Sequence, residues 1–201
     1  MEIDKLLESI PDKREDKNTT SHKFKRDLYK FFTDPEPFLN FIDKKVLEVS
    51  CYRGHTTRIL SHLFGEVYAV DFNEEYLEEA KELNKDRDNI IFSKLEIYNE
   101  PWDFPQLQAV LIDADHQYEA VIKDTQNACK LLEEGGIIVY DDYGLPDSYQ
   151  GGVKRAVDEM LEENEHFNIM RYIGEPEGSE CRVGKKLVDW EGIIIQYGYM
   201  V

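Results

Sequence analysis

Val46-Leu47-Glu48-Val49-Ser50-Cys51-Tyr52-Arg53-Gly54-His55-Thr56-Thr57, followed by Val67-Tyr68-Ala69-Val70-Asp71, sets the architecture of this chain. An apolar strand closes on a carboxylate, a tight turn containing one glycine follows, and a helix begins at His55. A second apolar strand then closes on a second carboxylate, 71 − 48 = 23 residues after the first. Acids at the carboxyl ends of adjacent parallel strands, beside such a turn, suit a nucleoside cofactor with an amino group and ribose hydroxyls. No G-x-G-x-x-G follows any strand, so the dinucleotide fingerprint is absent.

Outward from this stretch the pattern alternates. Strands are expected at 45–49, 66–70, 90–92, 109–112 and 136–140, and helices at 55–64, 74–83, 118–132 and 152–162. The strands are apolar at consecutive positions, as a parallel sheet covered on both faces requires. Gly135-Gly136 is expected to end one helix and open the next strand. Between Phe92 and Ala109 no helix is expected, only the segment around Pro101-Trp102-Asp103-Phe104-Pro105. Segments 167–173 and 192–198 follow with no helix between them and read as an antiparallel hairpin. The expectation is an α/β sandwich on a mostly parallel seven-stranded sheet, with that hairpin at its C-terminal end.

Residues 1–42 differ from 43–201, the expected main domain. A short helix over 2–10 stops at Pro11, and 11–18 reads as a mobile polar linker. A second helix over 21–32 carries Phe24, Leu28, Phe31 and Phe32 at helical spacing. This N-terminal helical extension covers a sheet edge or acts as a lid over the substrate.

The 201 residues carry 24 Lys and Arg against 42 Asp and Glu, a formal charge of −18. Such a surface repels phosphate backbones, so nucleic acid is not an expected partner. The largest basic patch is Lys23-Phe24-Lys25-Arg26. Three cysteines without metal spacing read as free thiols in a reducing compartment. The N-terminus lacks signal-peptide character and no run is long enough to span a membrane, so a cytoplasmic protein without a membrane partner is expected. The aromatic N-terminal helix and the C-terminal hairpin are the candidate surfaces for a homodimer.

A second acidic set lies further along. Asp113 closes the strand Val110-Leu111-Ile112, and Asp141 with Asp142 closes Ile137-Ile138-Val139-Tyr140, 141 − 113 = 28 residues later. Neighbouring strands lie about 5 Å apart, so three carboxylates converge at one sheet edge. Like charges so close call for a hard cation such as Mg²⁺. An ion there would bind a substrate hydroxyl and lower its pKa, with His116 placed to take the proton and Asp115 as the rival base. In the purely structural alternative, one Asp caps a turn and His116 merely starts a helix.

These motifs resemble class I, Rossmann-like methyltransferases that use S-adenosylmethionine (SAM). The resemblance implies that Glu48 receives the amino group of the methionine moiety, that Asp71 receives the ribose hydroxyls, and that Ser50 and Gly54 form the cofactor turn. Thr56 and Thr57 would satisfy free amides in the first helical turn. Ser50 stands where the family pattern has glycine, and a left-handed serine would cost roughly 1–3 kcal/mol. Glu96 falls at the position of the adenine contact, and Asp113 counts with the cofactor set as well as the metal set. Asp113-Ala114-Asp115-His116, Asp141-Asp142-Tyr143 and Gly151-Gly152-Val153-Lys154-Arg155-Ala156-Val157 resemble the metal-dependent O-methyltransferases of the catechol, caffeoyl-coenzyme A and, most closely, macrocin types. That implies Asp113, Asp141 and Asp142 as ligands of Mg²⁺, His116 as base, and a hydroxylated small molecule as acceptor. Two alternatives stand beside it: a metal-independent methyltransferase acting on another nucleophile, and a non-catalytic scaffold of the same fold.

Overall fold

The structure, a computed structural model, describes residues 3–34, 41–149, 151–181 and 184–198. Two short helices, α1 (Ile3–Leu7) and α2 (His22–Thr33), precede the alternating part. There β1 (Lys45–Val49), α3 (His55–Leu60), β2 (Glu66–Asp71), α4 (Glu74–Leu83) and β3 (Ile90–Lys94) follow in turn. Next come β4 (Leu107–Ile112), α5 (Tyr118–Leu131), β5 (Leu132–Tyr140), α6 (Gly152–Glu163), β6 (Phe167–Ile173) and β7 (Gly192–Tyr197). The seven strands lie in the order β3-β2-β1-β4-β5-β7-β6. β3 to β5 are mutually parallel, and β7 runs antiparallel to both β5 and β6. The expected sheet and its C-terminal hairpin are both present.

Chain direction across the sheet reverses between β1 and β4, which leaves a crevice at the carboxyl ends of those strands. The core alternates with the pleat. Val46, Val67, Leu111 and Val139 face α1, α2 and α3, whereas Leu47, Val70, Val110 and Ile138 face α5 and α6. Among the described residues no helix is long and apolar enough to cross a membrane.

Four expectations need adjustment. The helix expected to reach Phe64 ends at Leu60, and its last residues close in tighter turns in which His62 N donates to Ile59 O and Leu63 N to Leu60 O. β5 begins at Leu132 rather than after the glycines, because Leu132 pairs with Leu107; Gly135 lies within the strand at φ +79°. The polar stretch 11–18, expected as a mobile linker, is held in turns, with Asp12 accepting from His22 N and Lys13 Nζ donating to Glu180 O. Glu2, expected in the first helix, lies outside the described residues, and α1 spans Ile3–Leu7.

α2 is a full layer of the fold. Ser21 caps it by accepting from Phe24 N at 2.9 Å, and Phe24, Leu28 and Phe32 are buried with Ile59, Val139, Ile173 and Ile194. Its one buried charge, Lys25, points the same helix toward the edge where the strands end.

Candidate active site

Parallel register brings the acids together. Val49 pairs with Ile112 and Ile112 with Tyr140, so Ser50, Asp113 and Asp141 leave the sheet side by side. Backbone bonds carry that alignment one residue beyond the strands: Asp113 N donates to Val49 O and Asp141 N to Ile112 O.

On the β1–β2 side lies the turn expected to meet the cofactor. Ser50, Tyr52 and Gly54 all have positive φ (68°, 50° and 75°), so the chain coils tightly into α3. Ser50 adopts the left-handed conformation expected to strain it. Gly54 also has a packing reason to be glycine. A Cβ there would lie 2.7 Å from Asn84 Nδ2 and 2.8 Å from Ala80 Cβ, so the glycine lets α3 start against α4. Asp71 is 4% exposed, and its two oxygens accept from Tyr52 N and Asn73 N at 2.9 Å. Each oxygen keeps a lone pair for a further hydrogen bond.

Glu48 is buried and accepts from Thr57 Oγ1 at 2.5 Å. Burial pushes its carboxyl up to about 8, against the lowering effect of the Thr57 bond. Thr57 therefore serves Glu48 rather than the helix amides, and Thr56 meets Thr20 across the entrance at 3.3 Å. Glu96 is exposed, and its backbone amide donates to Glu100. Leu95 N donates to Asp71 O, which brings the segment to the same edge, but no hydrogen bond or ion pair ties the Glu96 carboxylate to the turn.

On the β4–β5 side, Asp113, His116 and Asp142 each offer one ligand atom within 4.8 Å of the others. His116 Nε2 lies 3.0 Å from Asp142 Oδ2 and 3.8 Å from Asp113 Oδ1, and the three side chains are 5–18% exposed. Asp142 has φ +55°, a left-handed turn that swings its carboxylate back over the sheet edge. Gly152 holds the other partner: its amide donates to His116 O, and a Cβ would lie 2.6 Å from that oxygen. Two carboxylates and an imidazole, mostly shielded from solvent, are a donor set that fits a divalent cation. Asp141 is buried beside the group but is not one of the three. Asp115 is exposed and turns away, its Oδ1 accepting from Gln117 N at 3.0 Å in the turn that leads into α5.

Two residues at this edge were not singled out from the sequence. Phe72, immediately after Asp71, is 58% exposed, and its open ring offers a stacking face for a base. The signal was an aromatic at the end of a buried strand. Lys25 is fully buried, with Nζ donating to Thr19 Oγ1 and Thr20 O. Burial lowers its pKa to about 8, while Asp141, Glu191, Asp12 and Asp113 act to raise it. Nothing in the local sequence separates Lys25 from the surface lysines around it.

Residues 47–143 match the sequence model of a family described as a methyltransferase domain. No curated protein sequence matches the chain. Among solved structures, the O-methyltransferase TomG of Streptomyces achromogenes, involved in tomaymycin synthesis and solved with SAM, superposes with a TM-score of 0.66 at 15% identity, covering 98% of this chain and 89% of TomG. An O-methyltransferase from Bacillus cereus solved with SAH gives 0.62 at 15% identity, covering 98% of this chain and 90% of that one. An rRNA methylase from Streptococcus thermophilus gives 0.62 at 16% identity, covering 86% of this chain and 95% of that one. Residues 47–143, from within β1 to just past β5, are thus similar to a methyltransferase domain, and the chain has the Rossmann-like fold of the methyltransferases on which it superposes.

Proposed function

We propose that this protein transfers the methyl group of SAM to a hydroxyl of a small molecule, with a divalent cation, Mg²⁺ in the first instance, held by Asp113 and Asp142, and with His116 beside it as the base. The observation that carries the reading is the convergence of those three side chains beside β1, the strand that leads into the turn at 50–54. When bound, SAM supplies an electrophilic methyl and the cation supplies positive charge to the acceptor oxygen. Asp71 would fix the ribose, and Glu48 would give up its proton to face the cationic amino group. Asp113 and Asp142 would hold the cation, with the negative charge of Asp141 beside them. His116 Nε2 would receive the hydroxyl proton as the acceptor oxygen takes the methyl and the cofactor leaves as the neutral thioether.

The chain's −18 charge weighs against RNA as the acceptor, although one structural neighbour is an rRNA methylase. A second reading rests on the 3.0 Å contact between His116 and Asp142, which lets a protonated imidazole neutralise the carboxylate with no metal. The test is methyl transfer from SAM to a panel of vicinal diols and phenols, with Mg²⁺ and with EDTA. Loss of turnover in EDTA, restored by Mg²⁺, is the expected result. Turnover indifferent to EDTA would leave the metal-independent reading.

A further inference from the structure

A cleft of about 490 Å³ opens between the turns at 11–18 and the loop that joins β6 to β7. Lys13, Arg14 and Lys17 line one wall, with Ser179, Glu175 and Glu180 opposite. Three cations in one concave surface stand out in a chain of net charge −18. None of the three forms an ion pair with a described residue, although thirteen lysine or arginine ion pairs are formed elsewhere among the described residues. Glu175 and Glu180 line the same cleft and leave them unpaired. Lys13 is 8% exposed and spends one donor, on Glu180 O at 2.9 Å, so two ammonium N–H groups remain.

The cleft leads to the candidate active site. Lys13 and Cys181 also line a constriction of about 10 Å³, roughly the space of one water, whose other walls include Asp141, Asp142 and Thr20. Cations therefore sit at the outer end of a passage and the carboxylate pair at its inner end. Lys13, a flexible side chain, stands at the junction of the two.

We infer that the acceptor carries an anionic group, a carboxylate or a phosphate, which binds to Lys13, Arg14 and Lys17 while its hydroxyl reaches Asp142 and His116. The inference rests on the methyl-transfer reading and adds the substrate class to it. The volume suits a small molecule. Guanidinium and ammonium groups that form no internal ion pair are what a carboxylate or phosphate requires. The cofactor makes no demand on this cleft, because its amino group and ribose fall to Glu48 and Asp71. Entry of the hydroxyl end requires the Lys13 side chain to swing aside from the constriction.

The experiment is a titration of the full chain with inorganic phosphate and, separately, with acetate at constant ionic strength, read by amide NMR. Saturable shifts confined to the segments around Lys13, Arg14, Lys17 and Ser179 are expected, and the anion that saturates at lower concentration identifies the group. Arg14→Gln with Lys17→Gln changes exposed side chains and leaves the fold intact; it should weaken that binding by about tenfold with SAM affinity unchanged. Unsaturable shifts, or equal binding by the double variant, would overturn the inference. So would a parallel loss of SAM affinity, which would assign the cleft to the cofactor. Failure of the methyl-transfer reading would show separately, as absence of SAM binding by the unaltered protein.

Discussion

Ser50 shows how a single residue can make a site harder to form than the fold around it. With φ at +68° it occupies backbone space that glycine enters freely and serine does not. Ser50→Gly should raise unfolding stability by about 0.5–1 kcal/mol, the relief of strain exceeding the added freedom of the unfolded chain. Denaturant midpoints would measure it, and a lowered midpoint would show that the serine side chain contributes a contact of its own. The acids were legible because strand ends announce themselves: Glu48, Asp71, Asp113, Asp141 and Asp142 each close an apolar run. Their finer grouping was not. The alignment of His116 with Asp113 and Asp142 depends on a left-handed residue at 142 and on a glycine of α6, 36 residues after the histidine (152 − 116).

At the scale of elements, the N-terminal helix α2 matters more than its position in the chain suggested. Phe24 is fully buried, and its ring packs so closely on Gly192 that a Cβ at 192 would lie 2.4 Å from Phe24 Cε2. Phe24→Ala should cost about 3–5 kcal/mol of stability. A thermal or denaturant melt that shifts by less than a quarter of that would mean α2 is loosely docked. The strand–helix alternation from β1 to β5 was readable because apolar runs and glycine breaks repeat at regular intervals. The tighter turns after Leu60 and the backward extension of β5 were not readable, because each is set by pairing with another element. The turns at 11–18 look like a linker in sequence because their partners, Glu180 and His22, lie outside the stretch.

Over the whole molecule, buried charges govern the response to pH. Burial pushes the carboxyls of Glu48 to about 8 and of Asp124 to about 7. Acids whose folded pKa is raised favour the fold below their unfolded pKa, and that advantage is lost as pH rises through the folded value. Lys25, lowered to about 8, acts in the opposite sense, and its penalty fades only between about 8 and its ordinary value. His55 and His62, both lowered to about 4 chiefly by burial, favour the fold increasingly from about 4 to 6.5 and offset the acids over that span. Stability of the unliganded protein should therefore fall by roughly 1–3 kcal/mol between pH 6.5 and 8 and recover above that as the Lys25 penalty fades. Urea unfolding from pH 6.5 to 8 would check it; a rise over that range would contradict the burial of Glu48 in its neutral form.

The central claim is that the β1–β2 edge binds SAM through Asp71 and a Glu48 that ionises to receive it. Calorimetric titration of SAM at pH 7, in buffers of different ionisation enthalpy, tests it most directly. Saturable binding with release of a fraction of a proton from Glu48, the release abolished in Glu48→Gln, is the outcome this account requires. Absence of binding heat in every buffer would contradict it.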